Sequence, residues 1–238
     1  MPIKMYIYRR IQYLMRKSIP NLITLLNALC GWLAIYYSSK GAFDYATGLL
    51  VIAAVFDFLD GFLAKRLNAF SKEGALLDSM ADLISFGAAP ALFVLFRFES
   101  SEYFIPLVIS SGLLFACALW RLVRYTLHAA ETKPYFEGMP TPAMTLSVVG
   151  TSYFLTSLTS LDHSQEVIAI VVLSVILGLW MISKIPTLSF KVNQWSFSEN
   201  WQRYSFVAVA LVGLVFLGIS GVPVALGAYL LFSLFLKS

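Results

Sequence analysis

Stretches of about twenty apolar residues, separated by short clusters of charge, Gly or Pro, run through this chain almost from end to end. A helix of that length satisfies its own backbone hydrogen bonds while crossing the ~30 Å hydrocarbon layer of a bilayer, and an open sheet does not. About eight spans follow from that length rule, at 19–39, 43–66, 75–97, 103–127, 140–160, 165–184, 204–220 and 222–237. The last two are short and meet at Ser220-Gly221, with Pro223 just beyond, as in a tight helical hairpin. The expected fold is all-α: a polytopic membrane helix bundle of about eight transmembrane helices. With 59% hydrophobic and only 13% charged residues, an ordinary soluble domain is excluded.

The basic residues give an orientation. With the N-terminus cytoplasmic, every Lys and Arg except Lys40 and Arg97 falls on the inner side, as the positive-inside rule requires. A net charge of +4 distributed in this way points to topology and anionic lipid, not to nucleic acid. In residues 1–18, Tyr6, Ile7, Ile11, Leu14 and Met15 are interleaved with Arg9, Arg10, Arg16 and Lys17, the pattern of an amphipathic interfacial helix. The expected division is that helix, a six-helix core over 19–192, and a C-terminal helical hairpin over 193–238. Cys30 and Cys117 lack metal-type spacing and read as small packing residues.

Against this background Asp57, Asp60, Asp78 and Asp82 stand out. An ionised Asp at membrane depth costs roughly 2.5–3.5 kcal/mol on insertion scales, so something must offset four of them. Their i,i+3 and i,i+4 spacings put each pair on one helix face, at the inner end of span two and the inner start of span three. Hard oxygen donors without His or Cys favour Mg²⁺ or Mn²⁺, and four carboxylates suffice for two ions serving displacement at phosphorus. Two other readings exist: loop acids balancing Lys65, Arg66 and Lys72, or an ion pathway of a divalent-metal transporter. Arg121 and Arg124, spaced i,i+3 at the end of span four, and Lys184 at the end of span six fall on the same side. Each arginine suits an anionic group, or alternatively snorkels to the interface. Asn21 and Thr24 share a face of span one and suit contact with phosphate or ordering of a metal ligand; the alternative reading of Asn21 is a cap at the span start. His128 and His163 are assigned no role.

The string Asp57-x-x-Asp60-Gly61-x-x-Ala64-Lys65, followed after eight residues by Gly74-x-x-x-Asp78-x-x-x-Asp82, resembles the signature of the CDP-alcohol phosphatidyltransferase family. It departs at one position, Lys65 standing where the family has arginine. Further segments resemble the phosphatidylserine synthase branch: Pro20-Asn21 with Thr24, Asn27 and Gly31; Ser85-Phe86-Gly87-Ala88-Ala89-Pro90; Arg121-Leu122-Val123-Arg124; Phe136 to Ala143; and Ser183-Lys184-Ile185-Pro186. The resemblance spans residues 18–192. It implies transfer of a phosphatidyl group from CDP-diacylglycerol to the hydroxyl of L-serine, giving phosphatidylserine and CMP. Glycerol 3-phosphate or inositol phosphate are the alternative acceptors. By motif position Asp57, Asp60, Asp78 and Asp82 would form a two-ion Mg²⁺ or Mn²⁺ site, with Asp82 as general base. Asp60, Gly61, Ala64, Lys65, Gly74 and Asp78 would contact the nucleotide, and Asn21, Thr24, Arg121, Arg124 and Lys184 the remaining substrate groups. A homodimer is expected on the same ground, while the Lys and Arg asymmetry puts the active site on the cytosolic side of the cytoplasmic membrane.

Overall fold

The computed structural model describes residues 3–127, 136–187, 218–221 and 227. Among these the chain is helical apart from one pair of two-residue strands. Helix α1 spans Ile3–Ser39, α2 Phe43–Arg66, α3 Lys72–Asp82, α4 Ala89–Arg97, α5 Phe104–Leu127, α6 Thr141–Ser157 and α7 His163–Ile182. Helices α3 and α4 form one membrane-length run, joined by a π-helical segment at Leu83–Ala88. Five helical runs are long and apolar enough to cross a membrane: 18–39, 43–66, 72–97, 104–127 and 163–182. The sixth, α6, has 17 residues and reaches about 25 Å at 1.5 Å per residue. Of the expected C-terminal pair, only a 3₁₀ turn at Gly218–Gly221 and Gly227 fall among the described residues.

Helix α1 shows how a lipid-solvated helix inverts the usual pattern. Its exposed face carries Leu22, Leu25, Leu29, Trp32 and Tyr36, at alternating steps of three and four. Its buried face, at the same spacing, carries Thr24, Asn27, Gly31, Ala34 and Ser38. Between helices in lipid there is little hydrophobic gain to be had, so small residues that allow close approach and polar groups that bond across the interface line the contact. The backbone runs as one helix from residue 3 through the boundary expected at 18, with Pro20 inside it.

Local chemistry sets the other ends. Asp162 and Gln165 form a capping box, so α7 starts at His163, two residues before the expected span. Pro142 sits in the first turn of α6, where a missing N–H costs nothing. Strand β1 (Phe136–Glu137) pairs antiparallel with β2 (Pro186–Thr187), tying the approach to α6 to the end of α7. Gly138 follows at φ +70°, donating to Ile185 O at 2.9 Å. A Cβ there would meet Met181 O and come within 3.0 Å of Trp180 O and Ser183 O, so only glycine fits.

One apolar core lies among α4, α5, α6 and α7, around Phe98, Leu114, Met144 and Leu177; a smaller one joins α1, α2, α4 and α6 around Leu50 and Phe93. At the α2 end away from the aspartates, Tyr153 donates to Asp44 Oδ1 at 2.7 Å and lies 3.1 Å from Thr47 Oγ1. The Arg97 guanidinium stacks over the Tyr153 ring at 4.2 Å and bonds Thr156 Oγ1 at 3.0 Å. This cluster fastens α2, α4 and α6 together at the opposite ends of α2 and of the 72–97 run from the acids.

Candidate metal centre and adjoining cleft

The site is built where α2 ends and α3 begins. Helix α2 stops at Arg66; Asn68 turns the chain at φ 48°, and Ser71 caps α3 by accepting from Gly74 N at 3.0 Å. This turn sets the two acidic faces against one another. Carboxylate oxygens of Asp57, Asp60 and Asp78 then lie within 4.8 Å of each other. Asp82, one turn beyond Asp78, is buried and within electrostatic reach of the other three.

Helix α1 supplies neutral partners. Thr24 Oγ1 donates to Asp60 Oδ2 at 2.6 Å, and Asn27 Nδ2 donates to Asp82 Oδ1 at 3.1 Å. Thr24 also lies 3.0 Å from Pro20 O. Its single proton goes to the shorter, charge-assisted bond. Asp78 Oδ1 is buried with no hydrogen-bond partner. Three carboxylates drawn together, one with an orphaned oxygen, is the donor set of a hard divalent cation, which would neutralise their repulsion and fill the orphan's coordination. The residues therefore fit a metal centre.

Beside the acids opens a cleft of about 130 Å³. Its walls are Pro20, Asn21 and Thr24 from α1, Asp60, Gly61 and Ala64 from α2, Ala69, Phe70 and Ser71 from the turn, and Gly74, Ala75 and Asp78 from α3. The three small signature residues thus face one space. At Gly61 no atom lies within 4 Å of where a Cβ would stand, whereas at Gly74 a Cβ would come within 3.0 Å of Ser71 Oγ and 3.2 Å of Asn21 Oδ1. A side chain at either would narrow the cleft.

Of the residues expected at the site, Asn21, Thr24, Asp60, Gly61, Ala64, Gly74 and Asp78 line this cleft, and Asp57 completes the carboxylate group. Lys65 is exposed and outside the lining, as is Lys184, which lies beyond the end of α7 at Ile182. Arg121 is buried on α5, and Arg124 donates to Ile182 O at 3.1 Å, binding the α7 terminus. Phe70 and Ser71 were not anticipated; their only signal was their place in the turn between the acid pairs. Asn27, part of the family-like first span, carries no role that its sequence position alone reveals.

A family model described as CDP-alcohol phosphatidyltransferase matches residues 17–180. The chain belongs to the CDP-alcohol phosphatidyltransferase family. It is thus an enzyme of phospholipid synthesis built on membrane-length helices, and the aspartate group agrees with that family's use of divalent metal. Among curated relatives, a CDP-diacylglycerol–serine O-phosphatidyltransferase of Helicobacter pylori is 31% identical over 217 residues, 90% of this chain and 89% of the relative. One of the same name from Methanocaldococcus jannaschii is 32% identical, covering 83% of this chain and 85% of the relative. An archaetidylserine synthase of Methanothermobacter thermautotrophicus is 32% identical over 66% of this chain and 67% of its own length.

Proposed function

We propose that this enzyme transfers the phosphatidyl group of CDP-diacylglycerol to the hydroxyl of L-serine, releasing CMP. The observation that carries the chemistry is the convergence of Asp57, Asp60 and Asp78 beside a cleft walled by Gly61, Ala64 and Gly74. The choice of serine rests on the names of the relatives, which share this chain's length and identify serine transferases in both bacteria and archaea.

In this reading the cleft takes the nucleotide, the missing side chains at Gly61 and Gly74 leaving room for it against α2 and α3. Asp57, Asp60, Asp78 and Asp82 would hold two divalent cations, Mg²⁺ or Mn²⁺, whose positive charge would stabilise the phosphate oxygens as negative charge develops. Thr24 orients Asp60 through its 2.6 Å bond. Asp82 accepts the proton of the serine hydroxyl as that oxygen bonds to the phosphorus bearing diacylglycerol. The bond from that phosphorus to the oxygen it shares with CMP breaks, and CMP leaves with the electron pair. Arg121 serves an anionic group of the acceptor or lipid, Arg124 and Lys184 the inner rim, and Lys65, exposed beside the cleft's α2 wall, a point charge toward the nucleotide.

The orientation, with N-terminus and acids on the cytosolic side of the cytoplasmic membrane, is supported by the asymmetry of Lys and Arg. The division into an interfacial helix at 1–18, a core over 19–192 and a C-terminal hairpin over 193–238 belongs to the same proposal, as does a homodimer. Purified protein given CDP-diacylglycerol with labelled serine, glycerol 3-phosphate or inositol phosphate tests the reaction. Labelled phosphatidylserine with equimolar CMP is the expected product, and transfer to another acceptor in its place overturns the serine assignment.

A further inference from the structure

Asn27 makes a contact that the acid signature does not account for. Its side chain is fully buried, 0% exposed, on the inner face of α1. Nδ2 donates to Asp82 Oδ1 at 3.1 Å, while Oδ1 is buried with no hydrogen-bond partner. A buried amide acceptor left unpaired costs on the order of 1–3 kcal/mol, and leucine, close to asparagine in shape, would avoid that cost. Packing alone therefore gives no reason for an amide at this position. Its single bond to Asp82 does.

The backbone around that bond is fixed on both sides. Ser85 Oγ, in the π segment just after Asp82, donates to Asn27 O at 2.8 Å. The approach is close enough that a Cβ on Gly31 would come within 2.5 Å of Ser85 Cα. Asn27 and Asp82 thus face each other across an interface with little freedom to slide. A terminal carboxylate torsion is broad and roughly two-fold, so burial by itself does not choose its rotation. A donor held at a fixed place does.

We propose that Asn27 is a positioning residue: its Nδ2–H sets the rotation of the Asp82 carboxylate, committing Oδ1 and leaving Oδ2 for the acceptor proton and the metal centre. This rests on the reading of Asp82 given above. Partners of this kind fix the orientation of metal-binding and catalytic side chains, and their loss typically costs 10–100-fold in metal affinity or activity.

The test uses the purified full chain and its Asn27→Leu variant, which keeps the branched outline of the side chain and removes the donor. Turnover, KM for CDP-diacylglycerol, melting temperature and Mn²⁺ affinity by electron paramagnetic resonance are read in parallel, with Mn²⁺ alone as the metal probe. The expected result is a folded protein with kcat down roughly 10–100-fold, KM within about threefold of the parent, and weaker Mn²⁺ binding. If Asn27→Leu does not fold, Asn27→Ser is read by the same criteria. A folded variant with kcat within twofold of the parent overturns the proposal. So does a loss of activity that follows the melting temperature while Mn²⁺ affinity stays unchanged. Asp82→Asn is assayed alongside: if it is inactive while Asn27→Leu is fully active, only the role of Asn27 fails. If Asp82→Asn turns over like the parent, both readings fail.

Discussion

Asp82 has the most consequential environment of any single residue here: buried, bonded to Asn27, and one helical turn from Asp78, a member of the carboxylate group. Replacing it with Asn keeps size and removes the charge that accepts a proton. Asp82→Asn is expected to stay folded, with unchanged mobility on size exclusion, and to lose phosphatidyl transfer altogether. Turnover near the parent level would remove Asp82 from the base role. Gly138→Ala tests a structural residue by contrast. Its φ of +70° and the carbonyls of the α7 end leave no place for a methyl group, so a loss of about 1–3 kcal/mol in stability is expected, readable as a lowered thermal midpoint.

At the scale of elements, the joint between α3 and α4 carries the most information. Pro90 has no N–H to return to Phe86 O, and the i→i+5 bonding of Leu83–Ala88, with Ala89 N on Ile84 O, carries the helix past that gap. Thr145 Oγ1 reaches Phe86 O at 3.3 Å from α6 while also lying 3.1 Å from Thr141 O. Thr145→Val deletes this donor and is expected to cost about 1 kcal/mol of stability, measured by thermal unfolding, with KM unchanged. The acid pairs, the small residues around them and the span limits of α2 and α5 were legible in the sequence, because they follow from spacing and apolar length. The π segment was not. Pro90 signals an interruption, but the local sequence does not say whether a helix there kinks, breaks or widens, because that is settled by packing against other helices. Asn27 was hidden for a similar reason: its partner is 55 residues away, and only the packing of Gly31 against Ser85 reveals it.

For the whole molecule, the metal reading and the topology make separate predictions. Chelation with EDTA is expected to stop transfer, with recovery on adding Mg²⁺ or Mn²⁺, since neutral partners alone leave Asp57, Asp60 and Asp78 in mutual repulsion. Activity that survives exhaustive chelation would contradict a metal centre. In a background without Cys30 and Cys117, an impermeant thiol reagent added outside intact cells should label Lys40→Cys and spare Lys72→Cys. The reverse pattern would turn the bundle over. The Arg97–Tyr153–Asp44 cluster closes the end of the bundle opposite the acids, and the cleft between α1, α2 and α3 stays open beside them. In the proposed reaction, the fastened end gives rigidity and the open end admits substrates.

Serine transfer is decided by an acceptor assay: purified enzyme, CDP-diacylglycerol, divalent metal, and labelled serine or glycerol 3-phosphate in separate vessels. The expected result is lipid-soluble label from serine with one CMP released per transfer, and background from glycerol 3-phosphate. Label from glycerol 3-phosphate with none from serine would contradict it.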